Sequence, residues 1–475
     1  MKILLSLAAC SLVALAAVTV PAQAARFDDS KAAPTLVCGD YFESNEAAAK
    51  AVVSDEAWER TSAQRFLRRQ GVDGLKLLRE TYAKEIQYHD TNPVAPEVID
   101  ATRWSRIDEA LNFVAQQKDA WAQGAPLFWF NNVEAAKVAA KKAEKPILSL
   151  RLLGKLTDEF SCANSRFFRA ALYANADVAQ FLSDNFILLW TTERPVPKVT
   201  IDMGDGRVMT CTITGNSAHY VLDGEGRPLD CIPGLYSPEE FKSAVKRGIT
   251  LNTELAGKEA EERSRLIKLY HKTRLAYVNQ AFATDLHAAG VEVNASGQET
   301  IKDSDAEFLR KSGAVPAEEA SKRAVSKSRI ENAFFVLIGK YDRAELESKV
   351  SAEIWSKLAA LHPAKLDAGS VKLIKSQNPE SAEEASKRAM GKKMIEDPIF
   401  RLVRKFEQNI ALDTVKNEYT FHAKIHEWFM NGEVETFEKF NERVYAELFF
   451  TPANDPWLGL KGDDYTGLKD AGISK

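Results

Sequence analysis

The first pattern along the chain is an apolar run from Ile3 to Val20, broken only by small polar residues. It is led by Lys2 and closed by Pro21-Ala22-Gln23-Ala24. A positive start, a short apolar stretch and an A-x-A end read as a secretory signal peptide cut before Ala25. The run is too short for a comfortable membrane span, so residues 1–24 are expected to leave the mature chain. Residues 25–125 then read as helical. Leu75, Leu78, Tyr82 and Ile86 recur at helical spacing, as do Trp104, Ile107, Leu111 and Val114, and Gln70-Gly71 marks a stop between two such stretches.

From about residue 126 to 250 the period changes. Asn132 caps an expected helix that Lys145-Pro146 ends. Ile147 to Leu152 alternates like a strand, two helices follow (Ala163 to Leu172, Ala176 to Leu182), and Phe186 to Trp190 is a short buried strand. Further strands are expected at Val208 to Ile213, Ala218 to Leu222 and Pro228 to Ile232, the last two joined by the turn Asp223-Gly224-Glu225-Gly226. That order predicts a compact α/β domain.

Residues 251–448 are mostly helical and highly charged, with a polar, poorly periodic stretch from Val293 to Gly313. They contain an internal repeat: 317–342 and 382–407 share AEEASKRA and, at a constant offset of 65, 14 identities in 26 positions. Phe334, Leu337, Ile338 and Tyr341 correspond to Ile399, Leu402, Val403 and Phe406, so both copies present one i, i+3, i+4, i+7 apolar stripe. Two copies are too few for a solenoid, and a duplicated helical hairpin is expected. Residues 449–475 form an extended tail, rich in Pro and Gly yet carrying Trp457, Leu458, Leu460 and Tyr465.

Composition adds boundaries. The 475 residues are 45% apolar and 27% charged, with a net charge of −4, which suits a globular protein of two or three cores. Lys and Arg do not outnumber Asp and Glu, so nucleic acid is not an expected partner. No segment after the leader is long and apolar enough to span a bilayer. The expected location is the periplasm or the exterior, a compartment that permits disulfides. Of five cysteines, Cys10 leaves with the leader. Cys38, Cys162, Cys211 and Cys231 remain, with three complete pairings open to them. Cys211 and Cys231 fall in neighbouring expected strands and are candidates to pair.

Cys162 is the main chemical candidate. It lies in Phe160-Ser161-Cys162-Ala163-Asn164-Ser165, at the expected start of the helix after the first strand of the α/β segment. A helix start lowers a thiol pKa through unpaired N–H groups, and Arg166 and Arg169 add positive charge one turn on. Around it, residues 129 to 241 resemble the thioredoxin-like family that includes spermatogenesis-associated thioredoxin proteins and their bacterial relatives. Trp129 and Lys145-Pro146 match that family's lead into its first strand. Its CHWCHVMERESFEDEEVA aligns ungapped with CANSRFFRAALYANADVA from Cys162, followed by a matching Glu193-Arg194-Pro195. Its GWPLTVFLTPDGKPF aligns with GNSAHYVLDGEGRPL from Gly215 to Leu229. The resemblance covers about a quarter of the chain. It implies a fold class of α/β plus α: a central thioredoxin-like domain over 126–250, flanked by helical regions.

The same alignment shows departures. Ser165 stands where the family has its second cysteine, Ser217 where it has the cis-proline facing the active thiol, and the loop into Cys162 is longer. A lone C-x-x-S thiol cannot expel a mixed-disulfide partner by closing a ring. Two readings stay open. In one, Cys162 is a reactive monothiol for thiol–disulfide exchange or isomerisation, shaped by Ser161, Ser165 and Arg166 and assisted by His219; its partners are protein clients, glutathione or another small thiol. In the other, the domain is a non-catalytic interaction or assembly module on a degenerate thioredoxin fold. No cofactor is implied. His422 and His426, four apart on a helix, are the weak metal candidates; no third ligand stands at metal-site spacing, and Val415, Tyr419 and Phe429 make the same line a packing stripe. Asp455, Asp463 and Asp464 lack calcium-loop spacing, and there is no Walker loop, G-x-G-x-x-G or G-x-S-x-G.

Overall fold

Two of the N-terminal helices start where a short polar residue caps them. In the computed structural model, which describes residues 42–454 apart from 92–99, 213–216, 291–351, 379–397, 433, 435 and 450, α1 (Asn45–Ala51) is capped by Ser44. Asp100 likewise caps α5 (Ala101–Ala115). Between them lie α2 (Ala57–Arg69), α3 (Val72–Thr81) and α4 (Ala83–Thr91). Gly71, at φ 68°, makes the break between α2 and α3 at the Gln70-Gly71 stop. These helices bury Leu67, Leu75, Leu78, Ile107, Leu111 and Val114 in one core.

A five-stranded sheet follows, in the order β1-β3-β2-β6-β7. Its strands are β1 (Trp129–Phe130), β2 (Ile147–Leu153), β3 (Ile187–Arg194), β6 (Ser217–Leu222) and β7 (Pro228–Pro233). β1 and β2 run parallel to β3, whereas β6 is antiparallel to both β2 and β7. Parallel neighbours need a crossover, and the crossover helices cover the sheet faces. Asn132 caps α6 (Val133–Ala143) by accepting from Ala135 N, and Asn175 caps α8 (Ala176–Asn185) in the same way. Between β2 and α8 comes α7 (Ala163–Phe167), which continues into a wide π-type turn over Phe168–Tyr173. With helices on both sides, β2, β6 and β7 are buried along their whole length.

One pairing differs from the expectation. β5 (Val208–Thr212) does not join this sheet. It pairs with β4 (Lys198–Asp202), a strand the periodicity did not reveal, as a separate two-stranded ribbon. Cys211 and Cys231 therefore lie in different sheets, not in neighbouring strands. Cys162 and Cys231 are both free, buried thiols.

Ser237 caps α9 (Pro238–Glu254), with Pro238 at the first helical position where its missing N–H costs nothing. Gly248 lets α9 approach the sheet: a Cβ there would sit 2.9 Å from both Val221 methyls. Then come α10 (Ala260–Ala288), α11 (Ala352–Leu361), α12 (Ala368–Ser376), α13 (Pro398–Lys416), α14 (Ala423–Asn431) and α15 (Phe437–Arg443). The first repeat copy lies outside the described residues. In the second, Leu402, Val403 and Phe406 of α13 pack on the N-terminal core, with Phe406 4.9 Å from the Phe167 ring. The sheet and the C-terminal helices share one continuous core. At that boundary Phe437 and Phe440 meet Tyr220, while Glu438 and Glu193 hold the buried Arg151 at 2.7 and 3.1 Å. Most of the expected tail, 455–475, is outside the described residues. No helix among the described residues is long and apolar enough to cross a membrane.

Candidate functional site

Cys162 sits at the N-cap of α7, directly after the loop that leaves β2, and its N–H is held by the Leu153 carbonyl at 3.0 Å. That local placement follows from the sequence. The side chain, however, is fully buried. Its Sγ lies 2.7 Å from Ser217 Oγ on β6, in a shared hydrogen bond. Ser165 turns back into its own helix start, donating to Ser161 Oγ (2.6 Å) or to the Cys162 carbonyl (2.7 Å). All four of these residues are fully buried. The structure thus brings Cys162, Ser217, Ser161 and Ser165 together, but inside the core.

The expected electropositive surround is spent on other groups. Arg169 is buried and paired with Asp119 at 3.2 Å, and it also donates to the Asp158 carbonyl at 2.9 Å. Arg166 donates to Thr212 Oγ1 at 3.0 Å. His219, two residues along β6 from Ser217, shares a 2.8 Å hydrogen bond with the Tyr173 hydroxyl, and its ring packs among Phe168, Tyr173 and Phe241. Burial lowers its pKa to about 3, so it stays neutral near neutrality and brings no positive charge to a thiolate.

That burial makes a measurable contribution to acid sensitivity. A histidine whose folded pKa lies below its unfolded value stabilises the protein fully above pH ~6.5, and the contribution is lost as pH falls toward the folded pKa. Between pH 7 and 5, His219 should cost about 2 kcal/mol of stability. Guanidinium unfolding at both pH values should show this loss in the wild type relative to His219→Gln, which cannot charge. Equal losses in the two proteins would contradict the assignment.

The second group of titratable side chains is larger than the His422 and His426 pair. A π-type turn over Asn417–His422 runs into α14 and places Glu418, His422 and His426 against β7 and α10. β7 supplies Asp230, and α10 supplies His271 and Tyr270. His422 bridges two carboxylates, Nε2 to Asp230 Oδ1 at 3.0 Å and Nδ1 to Glu418 Oε2 at 2.8 Å. Carboxylates only accept, so both ring nitrogens donate and His422 is a buried imidazolium. Burial opposes that charge, yet Asp230 and Glu418 raise its pKa to about 9. Burial would likewise raise the Asp230 carboxyl, but His422 overrides it and holds Asp230 well below the usual carboxylate range. Asp230 also accepts from Cys231 N at 2.8 Å and from the Tyr270 hydroxyl at 3.2 Å.

His271 Nε2 faces the Leu229 carbonyl at 3.0 Å, and its Nδ1 faces His426 Nδ1 at 2.8 Å. Burial lowers the His271 pKa to about 4, and burial together with the His422 charge pushes His426 well below its ordinary value. Both rings are neutral, the form that can bind a metal. Asp230, His271 and Glu418 were missed in the sequence because they lie far from His422 and His426 or looked like ordinary helix polar residues. The sequence signal available was only that His271 is one of seven histidines in the chain.

No family model matches the sequence, and comparison with curated proteins and with solved structures finds no significant match to either.

Proposed function

We propose that this chain is an exported protein built around a thioredoxin-like domain whose thiol centre has been absorbed into the core. In this reading it works as a protein-binding or assembly module and not as a thiol–disulfide exchange enzyme. The mixed sheet, with a parallel β1-β3-β2 half and an antiparallel β6-β7 hairpin, supports the thioredoxin-like reading. So does the position of Cys162 at the helix start after β2, beside Ser217 on β6.

One observation carries the functional choice: Cys162 is fully buried and its sulfur is tied to Ser217 Oγ at 2.7 Å. A thiol acts on a disulfide by in-line attack of its thiolate on a sulfur atom, which requires access. Neither Ser165 nor Ser217 can resolve a mixed disulfide, and His219 is engaged with Tyr173. The helical flanks then supply the surfaces through which partners are met, and those partners are other proteins.

Trapping tests this reading. The native chain, expressed with its leader and isolated after rapid acid quenching and alkylation, should carry no protein joined through Cys162. Mixed disulfides present in the wild type and lost in Cys162→Ala would overturn the proposal and favour the monothiol reading.

A further inference from the structure

The structure assigns a buried transition-metal site to Asp230, His271 and His426, with Zn²⁺ the ion of best-matched chemistry. One ligand atom from each of these three residues lies within 4.8 Å of the others, and all three side chains are buried. The site lies at the seam between β7, α10 and α14 and involves no thiol.

The hydrogen-bond pattern decides which atoms face the site. Leu229 offers only a carbonyl, so His271 must carry its proton on Nε2, and its Nδ1 lone pair points at His426. A ring nitrogen that donates to a backbone carbonyl while the other binds the ion is the usual arrangement of a metal-ligating histidine. Asp230 is held in the same manner, by Cys231 N–H, Tyr270 and His422. With no ion, His426 must donate from Nδ1 to His271, and its buried Nε2 then has no hydrogen-bond partner. With an ion bound, the His426 proton moves to Nε2, which has no hydrogen-bond partner among the described residues in either tautomer, and both Nδ1 lone pairs face the metal with no net change in charge on either ring.

Two imidazoles and one carboxylate suit Zn²⁺ and its first-row neighbours and not Ca²⁺ or Mg²⁺, which favour oxygen ligands. Bonds of about 2.1 Å in a tetrahedron hold ligand atoms roughly 3.4 Å apart. The 2.8 Å separation of the two Nδ1 atoms and the 4.8 Å limit bracket that value, so changes of up to about 1.4 Å in these separations close the site. The ion would clamp β7, the edge strand of the sheet, to α10 and α14 through His271 and His426. This is a structural role, in keeping with a site that the described residues enclose.

The test uses the untagged full-length chain, stripped with a chelator and titrated with Zn²⁺ alone or with Co²⁺ as a spectroscopic probe. We expect one equivalent bound, a melting temperature raised by roughly 3 °C at saturating Zn²⁺, and Co²⁺ ligand-field bands without a thiolate charge-transfer band. His271→Gln and His426→Gln should each weaken binding by about 100-fold, while Cys231→Ser leaves it unchanged. Binding below about a tenth of an equivalent, a thiolate band, or undiminished affinity in both glutamine variants would overturn the assignment. Should the variants fail to fold, the wild-type stoichiometry, melting shift and Co²⁺ spectrum decide it.

Discussion

Asp230→Ala should lower the free energy of unfolding by about 3–5 kcal/mol at pH 7, measured by guanidinium denaturation in chelated buffer. The magnitude follows from what the substitution leaves behind. Asp230 is fully buried on β7 and accepts from His422, the Cys231 N–H and Tyr270. Without it, the His422 imidazolium keeps only Glu418 as a counter-charge and must either stay charged in the core or give up a proton it holds with a pKa of about 9. The Cys231 N–H is orphaned in either case. Asp230→Asn keeps the shape and one acceptor oxygen, so it should cost less than the alanine. If Asp230→Ala costs under ~1 kcal/mol, the ion pair does not hold β7 to the C-terminal helices as described.

Trp129→Ala should cost a similar amount, about 3–5 kcal/mol. Trp129 is fully buried on β1, its ring 5.1 Å from Tyr173, and its indole N–H donates to Gln117 Oε1 at 2.9 Å. Its carbonyl accepts from Arg68 of α2. The ring therefore joins the sheet edge to the segment that follows α5, and its loss opens a cavity while leaving the Gln117 oxygen unpaired. Trp129→Phe refills most of the volume and should recover more than half of the loss in the denaturation midpoint. A midpoint unchanged in Trp129→Ala would show that the sheet and the N-terminal helices do not share this anchor.

Local structure was legible wherever one short stretch determined it. Asn132 announced α6, Lys145-Pro146 its end, and the alternating run from Ile147 its strand, and each element forms at those residues. The Asp223-Gly224-Glu225-Gly226 turn closes as expected, with Asp223 N donating to the Arg227 carbonyl and Gly226 at φ 83°. Strand partnership was not legible. Val208 to Thr212 reads as a strand by itself, but only its partner β4 decides that it leaves the main sheet, and β4 carries a Lys-Val-Thr-Ile-Asp pattern too mixed to stand out.

The candidate sites divide along the same line. Cys162 at a helix start was readable from sequence. Its burial was not, because Ser217, whose hydroxyl meets the sulfur, lies on β6, 55 residues away in sequence. The histidine cluster is the sharper case: His422 and His426 were visible as an i, i+4 pair, yet their partners Asp230 and His271 are 192 and 155 residues away. No local spacing rule reaches that far.

Cys162 is a fully buried residue of the α/β core, and its proposed lack of thiol chemistry follows from that burial. Its alkylation rate tests this most directly. The native chain, pulsed with iodoacetamide at pH 7.5 and analysed by peptide mass spectrometry, should modify Cys162 at least about 1,000-fold more slowly than the same chain unfolded in guanidinium, since access requires an opening of about 4 kcal/mol or more. A native rate equal to or faster than that of the unfolded chain would mean that the thiol is reachable and free to react.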